Sequence, residues 1–132
     1  MQPNRSIPDS VIIPVLLYRD VREASQWLCR AFGFNERLFI GDHRVQLTCD
    51  GGAVVAAHGD AAPSGHSIMV RVADADAHCA RARREGARIL SEPQSFPYGE
   101  RQYSAQDPGG HVWTFTQSVA DVDPAAWGGV LA

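Results

Sequence analysis

Residues 96–115 read Phe-Pro-Tyr-Gly-Glu-Arg-Gln-Tyr-Ser-Ala-Gln-Asp-Pro-Gly-Gly-His-Val-Trp-Thr-Phe, the pattern of a loop, a strand, a tight turn and a second strand. Asp107-Pro108-Gly109-Gly110 is the turn, because proline presets φ and glycine accepts positive φ at little cost. The flanking stretches 101–106 and 111–117 are therefore expected to pair antiparallel. Pairing Asp107 with Gly110 sets Tyr103 opposite Thr114 and leaves Trp113 and Phe115 on the other face. A one-residue slip would exchange the two sets.

Working back from the hairpin, residues 92–99 form the longest expected loop, and residues 87–91 a short strand. Asp74 starts a helix whose narrow stripe is Ala75, Cys79 and Ala82, whose outer face is rich in arginine, and which Gly86 closes. Before it, residues 67–73 alternate, with Ile68, Val70 and Val72 on one face and Ser67, Met69 and Arg71 on the other. The first half of the chain follows the same order. Residues 11–18 are a nearly continuous apolar run of strand length. Asp20 and Glu23 make a capping box, and Val21, Ala24, Trp27, Leu28, Ala31 and Phe32 form a helical stripe that Gly33 ends. Residues 37–40, 44–49 and 53–58 then make a meander around two Gly-Asp turns. The chain thus carries one βαβββ plan twice. The expected class is α+β: two βαβββ modules, about 11–58 and 66–117, in a single domain 1–132. Residues 59–65 are the connector, and residues 118–132 are a tail around Trp127.

A chain of 132 residues can bury a core without disulfide or metal staples. Its formal charge of −3 is too small for a nucleic-acid surface. Cys29, Cys49 and Cys79 are odd in number and widely spaced, which suits small buried residues in a reducing cytoplasm. The sequence shows neither a signal-like start nor an apolar run long enough to span a membrane, so no membrane partner is expected.

The Asp107 to Phe115 turn and strand, together with the duplicated plan, resemble the vicinal oxygen chelate superfamily of glyoxalases, bleomycin-resistance proteins and extradiol dioxygenases. Tyr98-Gly99-Glu100-Arg101 followed by that turn is similar to its PhnB-like branch. The resemblance implies a cupped mixed sheet around a cleft. It also implies metal ligands at Ile13, near Val55, and at Ser67 and Thr114 in the metal-dependent members. None of these four is a competent ligand for a divalent ion. His66, one residue from Ser67, and His58, close to Val55, are the fallback metal ligands should a β-bulge shift the register. No metal is the expected state, and a divalent metal is the alternative. His43, His78 and His111 read as solvated or structural.

The expected ligand-binding set is Ser67, Met69, Arg71, Tyr98, Arg101, Tyr103 and Thr114. Arg71 reads equally well as the partner of an internal acid or of a dimer interface. The stretch 96–101 reads equally well as a gate over the cleft or as a turn held by its own salt bridge. No nucleophile elbow, phosphate loop or Cys-His pair is present. Without metal ligands, the resemblance implies a protein that binds a small organic molecule in the concave cleft, as in antibiotic sequestration. The alternative is a metal-dependent lyase, isomerase or dioxygenase. It also implies a homodimer, to which the connector and Trp127 are suited.

Overall fold

A computed structural model describes residues 2–60 and 66–131. The chain runs β1 (Val15–Tyr18), α1 (Val21–Phe32), β2 (Asn35–Ile40), β3 (Arg44–Cys49), β4 (Gly52–His58), β5 (Ile68–Arg71), α2 (Ala75–Arg84), β6 (Arg88–Ser95), β7 (Glu100–Gln106) and β8 (Val112–Ser118), then a 3-10 turn at Pro124–Trp127. The strands form two four-stranded mixed sheets, ordered β1-β4-β3-β2 and β5-β8-β7-β6. In each, the first strand is parallel to the last and the other pairs are antiparallel. This is the duplicated βαβββ plan, an α+β fold. Two compact units result, Met1–Ser64 with Pro108–His111 and Gly65–Asp107 with Val112–Ala132.

Both helices start where the sequence chemistry requires. The Asp20 carboxylate accepts the Glu23 backbone N–H at 3.0 Å, and Asp74 does the same for Ala77, each satisfying a donor that has no partner inside the helix. Gly33 ends α1 at φ 81°, giving its N–H to the Cys29 carbonyl, a left-handed position that glycine fills at least cost. The α1 stripe buries Val21, Trp27, Leu28, Ala31 and Phe32 against Val45 and Leu47 of the first sheet. The narrower stripe of α2, Ala75, Cys79 and Ala82, lies over Tyr103 and Phe115 of the second, because only small residues leave room for those rings.

Among the differences from the sequence reading, three bear on how the fold is built. Val11 and Ile12 are 82% and 81% exposed and outside the strand. Pro14 accepts a bond from Val55 N–H but has no N–H of its own to carry the ladder back towards them. The loop expected at 92–99 shrinks to four residues, because β6 continues to Ser95 across two register shifts. Bulges let a strand without regular alternation keep pairing. The turn after it is fixed by Gly99 N–H to Phe96 O and Phe96 N–H to Glu100 O. The β7–β8 register sets Tyr103 opposite Phe115 and Ser104 opposite Thr114, one residue from the expected pairing. Of the connector expected at 59–65, residues 61–65 lie outside the described residues. No helix among the described residues is long and apolar enough to cross a membrane.

Candidate functional site

The register of β7 and β8 sorts the second sheet into two chemically different faces. Arg101, Tyr103 and Ala105 point towards α2 with Trp113 and Phe115. Tyr103 and Phe115 stack at 5.2 Å between ring centroids, and the His78 ring on α2 lies 4.2 Å from Phe115. The Tyr103 hydroxyl is hydrogen-bonded to His78 Nδ1, and burial pushes its phenol well above the usual range. Tyr103 was expected in the cleft. It is instead fully buried in the core, because the hairpin register is shifted by one and a one-residue shift turns a side chain to the other face. Arg101, expected at the ligand, also turns to α2. Its Nε and Nη2 each donate at 2.9 Å to the Asp76 carboxylate, and its Nη1 reaches Ser95 Oγ at 3.2 Å. That fork holds the Asp76 carboxyl below its ordinary range. The stretch 96–101 is thus tied down by an ion pair, but the acid is Asp76 on α2 and not Glu100.

The face turned away from α2 brings together Met69 and Arg71 of β5 with Thr114 and Thr116 of β8, register partners in that order. Gln102 and Ser104 of β7 stand opposite Thr116 and Thr114. A chain of hydrogen bonds crosses this face. Tyr98 OH donates to Gln102 Oε1 at 3.1 Å, Gln102 Nε2 donates to Thr116 Oγ1 at 3.1 Å, and Thr116 Oγ1 donates to Glu100 Oε1 at 2.6 Å. Ser104 and Thr114 share a bond at 3.0 Å. The hydroxyls of Thr116 and then Ser118 stabilise the Glu100 carboxylate, with Arg71 adding a smaller attraction, and together they hold its pKa below the ordinary range. Glu100 is therefore a fixed negative charge beside an exposed cation.

Of the expected site residues, Met69, Arg71 and Thr114 share this face, and Tyr98 joins it through Gln102. Tyr98 also stacks on Phe96 at 5.4 Å and meets Trp127 of the 3-10 turn at 5.5 Å. Ser67 is exposed and precedes β5. Glu100, Gln102 and Thr116 were absent from the expected set. The alternation of β7 and β8 could have found them, had the hairpin register been placed correctly.

The positions at which the resemblance implies metal ligands, Ile13, near Val55, Ser67 and Thr114, do not supply the donors a divalent ion requires. His58 is exposed at the end of β4, and His66 is exposed outside β5. Among the described residues, no three His, Cys, Asp or Glu side chains cluster as a metal site. The first unit also carries a cavity of about 480 Å³ at the end of β1, walled by Tyr18, Ala24, Trp27 and Gly109 and rimmed by Asp20 and Glu23. Periodicity gives no sign of it, since it forms where the 108–111 turn meets β1. There His111 Nε2 lies 2.7 Å from the Leu17 carbonyl.

Residues 11–115 match the family profile described as Glyoxalase/Bleomycin resistance protein/Dioxygenase superfamily. No curated protein matches the chain. Among solved structures, TioX from Micromonospora sp. ML1 is 34% identical, with a TM-score of 0.70 over 83% of this chain and 98% of that one. A glyoxalase-related enzyme from Fulvimarina pelagi is 17% identical, with a TM-score of 0.69 over 83% of this chain and 88% of that one. The fosfomycin resistance protein FosX from Listeria monocytogenes is 14% identical, with a TM-score of 0.70 over 84% of this chain and 94% of that one. The last two are likenesses of fold. With four-fifths of its length matched by the family profile and the duplicated βαβββ architecture in place, the chain belongs to the Glyoxalase/Bleomycin resistance protein/Dioxygenase superfamily.

Proposed function

We propose that the protein binds a small organic molecule on the face of the second sheet that carries Arg71. The observation behind this reading is the exposed Arg71 cation beside the Glu100 carboxylate, whose charge Thr116 and Ser118 fix. An aromatic or amphipathic molecule bearing a carboxylate or similar acceptor suits such a face, with Arg71 meeting the acceptor and Met69 the apolar body. The absence of donors at the four metal positions favours binding over metal-assisted catalysis. Within the superfamily, the reading extends to a PhnB-like or bleomycin-resistance-like protein of the cytoplasm, a homodimer whose role is sequestration of an antibiotic.

A thermal-shift panel of aromatic carboxylates and amphiphilic antibiotics, followed by calorimetry on each stabilising compound, tests the reading. Arg71→Ala is expected to weaken binding by about tenfold or more, the loss of one charge-assisted bond, with only a small drop in melting temperature from its minor attraction to Glu100. Equal affinity of Arg71→Ala and the native chain would move the ligand off this face. A stoichiometric metal found by elemental analysis, lost on His66→Ala together with activity, would replace the reading with a metal-dependent one.

A further inference from the structure

The face of the first sheet turned away from α1 carries a pair of polar side chains, Arg37 and Gln46, bonded to each other and to the N-terminal segment. Gln46 lies on that face, opposite Val55, and is only 4% exposed. Its Nε2 donates to the Ser6 carbonyl at 2.9 Å. Arg37 Nη2 donates to the Arg5 carbonyl at 2.8 Å, and Arg37 Nη1 donates to Gln46 Oε1. The two side chains therefore form one clamp whose remaining N–H groups meet two successive amide carbonyls. Local backbone builds this clamp. The β2–β3 register shifts between Glu36 and Leu38, so Arg37 is the extra residue of a bulge, the position at which a strand re-aims a side chain.

What fills the clamp is itself a turn. Ser6 N–H donates to Asn4 Oδ1 at 3.0 Å and Ile7 N–H to the Asn4 carbonyl at 3.3 Å, so Arg5 and Ser6 are the central residues of an Asn-initiated turn. Pro8 follows and is buried, and the Ser10 hydroxyl donates to the Gly51 carbonyl at 3.1 Å. The clamp's own two bonds go to main-chain oxygens, not to side chains. A donor pair that reads consecutive amide carbonyls recognises a backbone shape more than a sequence.

We propose that this face of the first sheet is a binding site for turn-forming peptides, and that residues 4–10 occupy it as an internal ligand. Every residue of the site lies in the first unit, and none of them belongs to the Arg71 face. A segment tethered this closely acts at an effective concentration of about millimolar. Its docked state therefore implies a dissociation constant below about 1 mM for the same segment supplied separately.

The test uses protein lacking residues 2–10 and the peptide Gln-Pro-Asn-Arg-Ser-Ile-Pro-Asp-Ser, with a scrambled peptide that moves Asn and Pro out of the turn. Calorimetry should show one peptide per chain with a dissociation constant below about 1 mM, no binding of the scrambled peptide, and no binding of either by the full chain. Gln46→Ala in the shortened protein should weaken binding by about tenfold. In the full chain, Arg37→Ala and Gln46→Ala should each speed tryptic cleavage after Arg5. A shortened protein that keeps its near-ultraviolet circular dichroism yet does not bind the peptide overturns the proposal. Loss of that signal on shortening also overturns it, since the segment would then be part of the fold and not its ligand.

Discussion

The indole N–H of Trp113 donates to the Asp107 carboxylate at 3.0 Å, with both residues almost wholly buried, and this bond joins the two ends of the β7–β8 turn. The last pair of the ladder is Gln106 with Val112, so the loop holds five residues instead of the two that Pro108-Gly109 suggested. Gly110 takes φ 87°, and His111 turns aside to the Leu17 carbonyl. The Asp107 carboxylate thus closes a turn that lies outside the ladder. The register that follows puts Tyr103 against Phe115 in the core and releases Gln102 and Ser104 to the opposite face.

Trp113→Ala should destabilise the protein by about 3–5 kcal/mol, because a fully buried ring is removed with only partial collapse around it. Asp107→Ala should cost about 1–3 kcal/mol by leaving the indole N–H without its acceptor, and Asp107→Asn should recover most of that loss. Urea denaturation of the three variants checks the order. A near-neutral Trp113→Ala would show that the ring does not anchor the hairpin.

The parts of the fold that were legible in the sequence are those fixed by local chemistry. Asp20, Gly33 and Asp74 act at the helix ends they marked, and the alternation of Ile68, Met69, Val70 and Arg71 sorts β5 as read. The hairpin register was not legible, because the turn holds five residues closed by the Asp107–Trp113 bond, a contact that turn statistics do not contain. Tyr103 and Arg101 were misplaced for that reason, while Met69, Arg71 and Thr114 kept their face. The Arg37–Gln46 clamp was equally hidden. It requires a bulge in β2 and a turn in residues 4–7 that carry no hydrophobic period.

Gly99 sits at φ 83°, and a Cβ there would lie 2.4 Å from the Ala120 carbonyl oxygen. The same glycine carbonyl accepts the Val119 N–H at 2.8 Å, so two segments of backbone meet at this point. Gly99→Ala combines a disfavoured dihedral with a backbone clash and should cost at least about 1–3 kcal/mol. Chemical denaturation measures it. A variant as stable as the native chain would mean that residues 119–120 leave this contact in solution, freeing Tyr98 to act as a gate.

Glu100 gives the acid limb of the stability curve a specific origin. Its folded pKa is depressed, by Thr116 and Ser118 first and Arg71 less. The stabilisation is then fully present above the unfolded carboxylate range and is lost as pH falls through the folded value. Glu100→Gln should therefore lower the melting temperature at neutral pH and converge on the native chain as the medium becomes acidic. Parallel melting curves across the acid range, with a constant gap between the two proteins, would remove Glu100 as the titrating group.

The homodimer proposed above would have open strand edges to cover. β1, β2, β5 and β6 each end a sheet, and strand edges with open N–H and C=O groups favour association. The tail adds apolar surface: Trp127 is 48% exposed even with Tyr98 beside it, and Val130 and Leu131 are 93% and 82% exposed. Light scattering at micromolar concentration should give twice the chain mass, and a monomeric mass would refute the dimer. Deleting residues 120–132 is too blunt an instrument alone, because it also strips Trp127 from Tyr98 and Ala120 from Gly99. Leu131→Asp leaves both contacts in place. If Leu131 is buried between chains, the charge should weaken association by about tenfold or more, the equivalent of one buried leucine. Were Leu131→Asp and the deletion both to leave the association constant unchanged, the tail would lie outside the interface, and the sheet edges alone would carry the pairing.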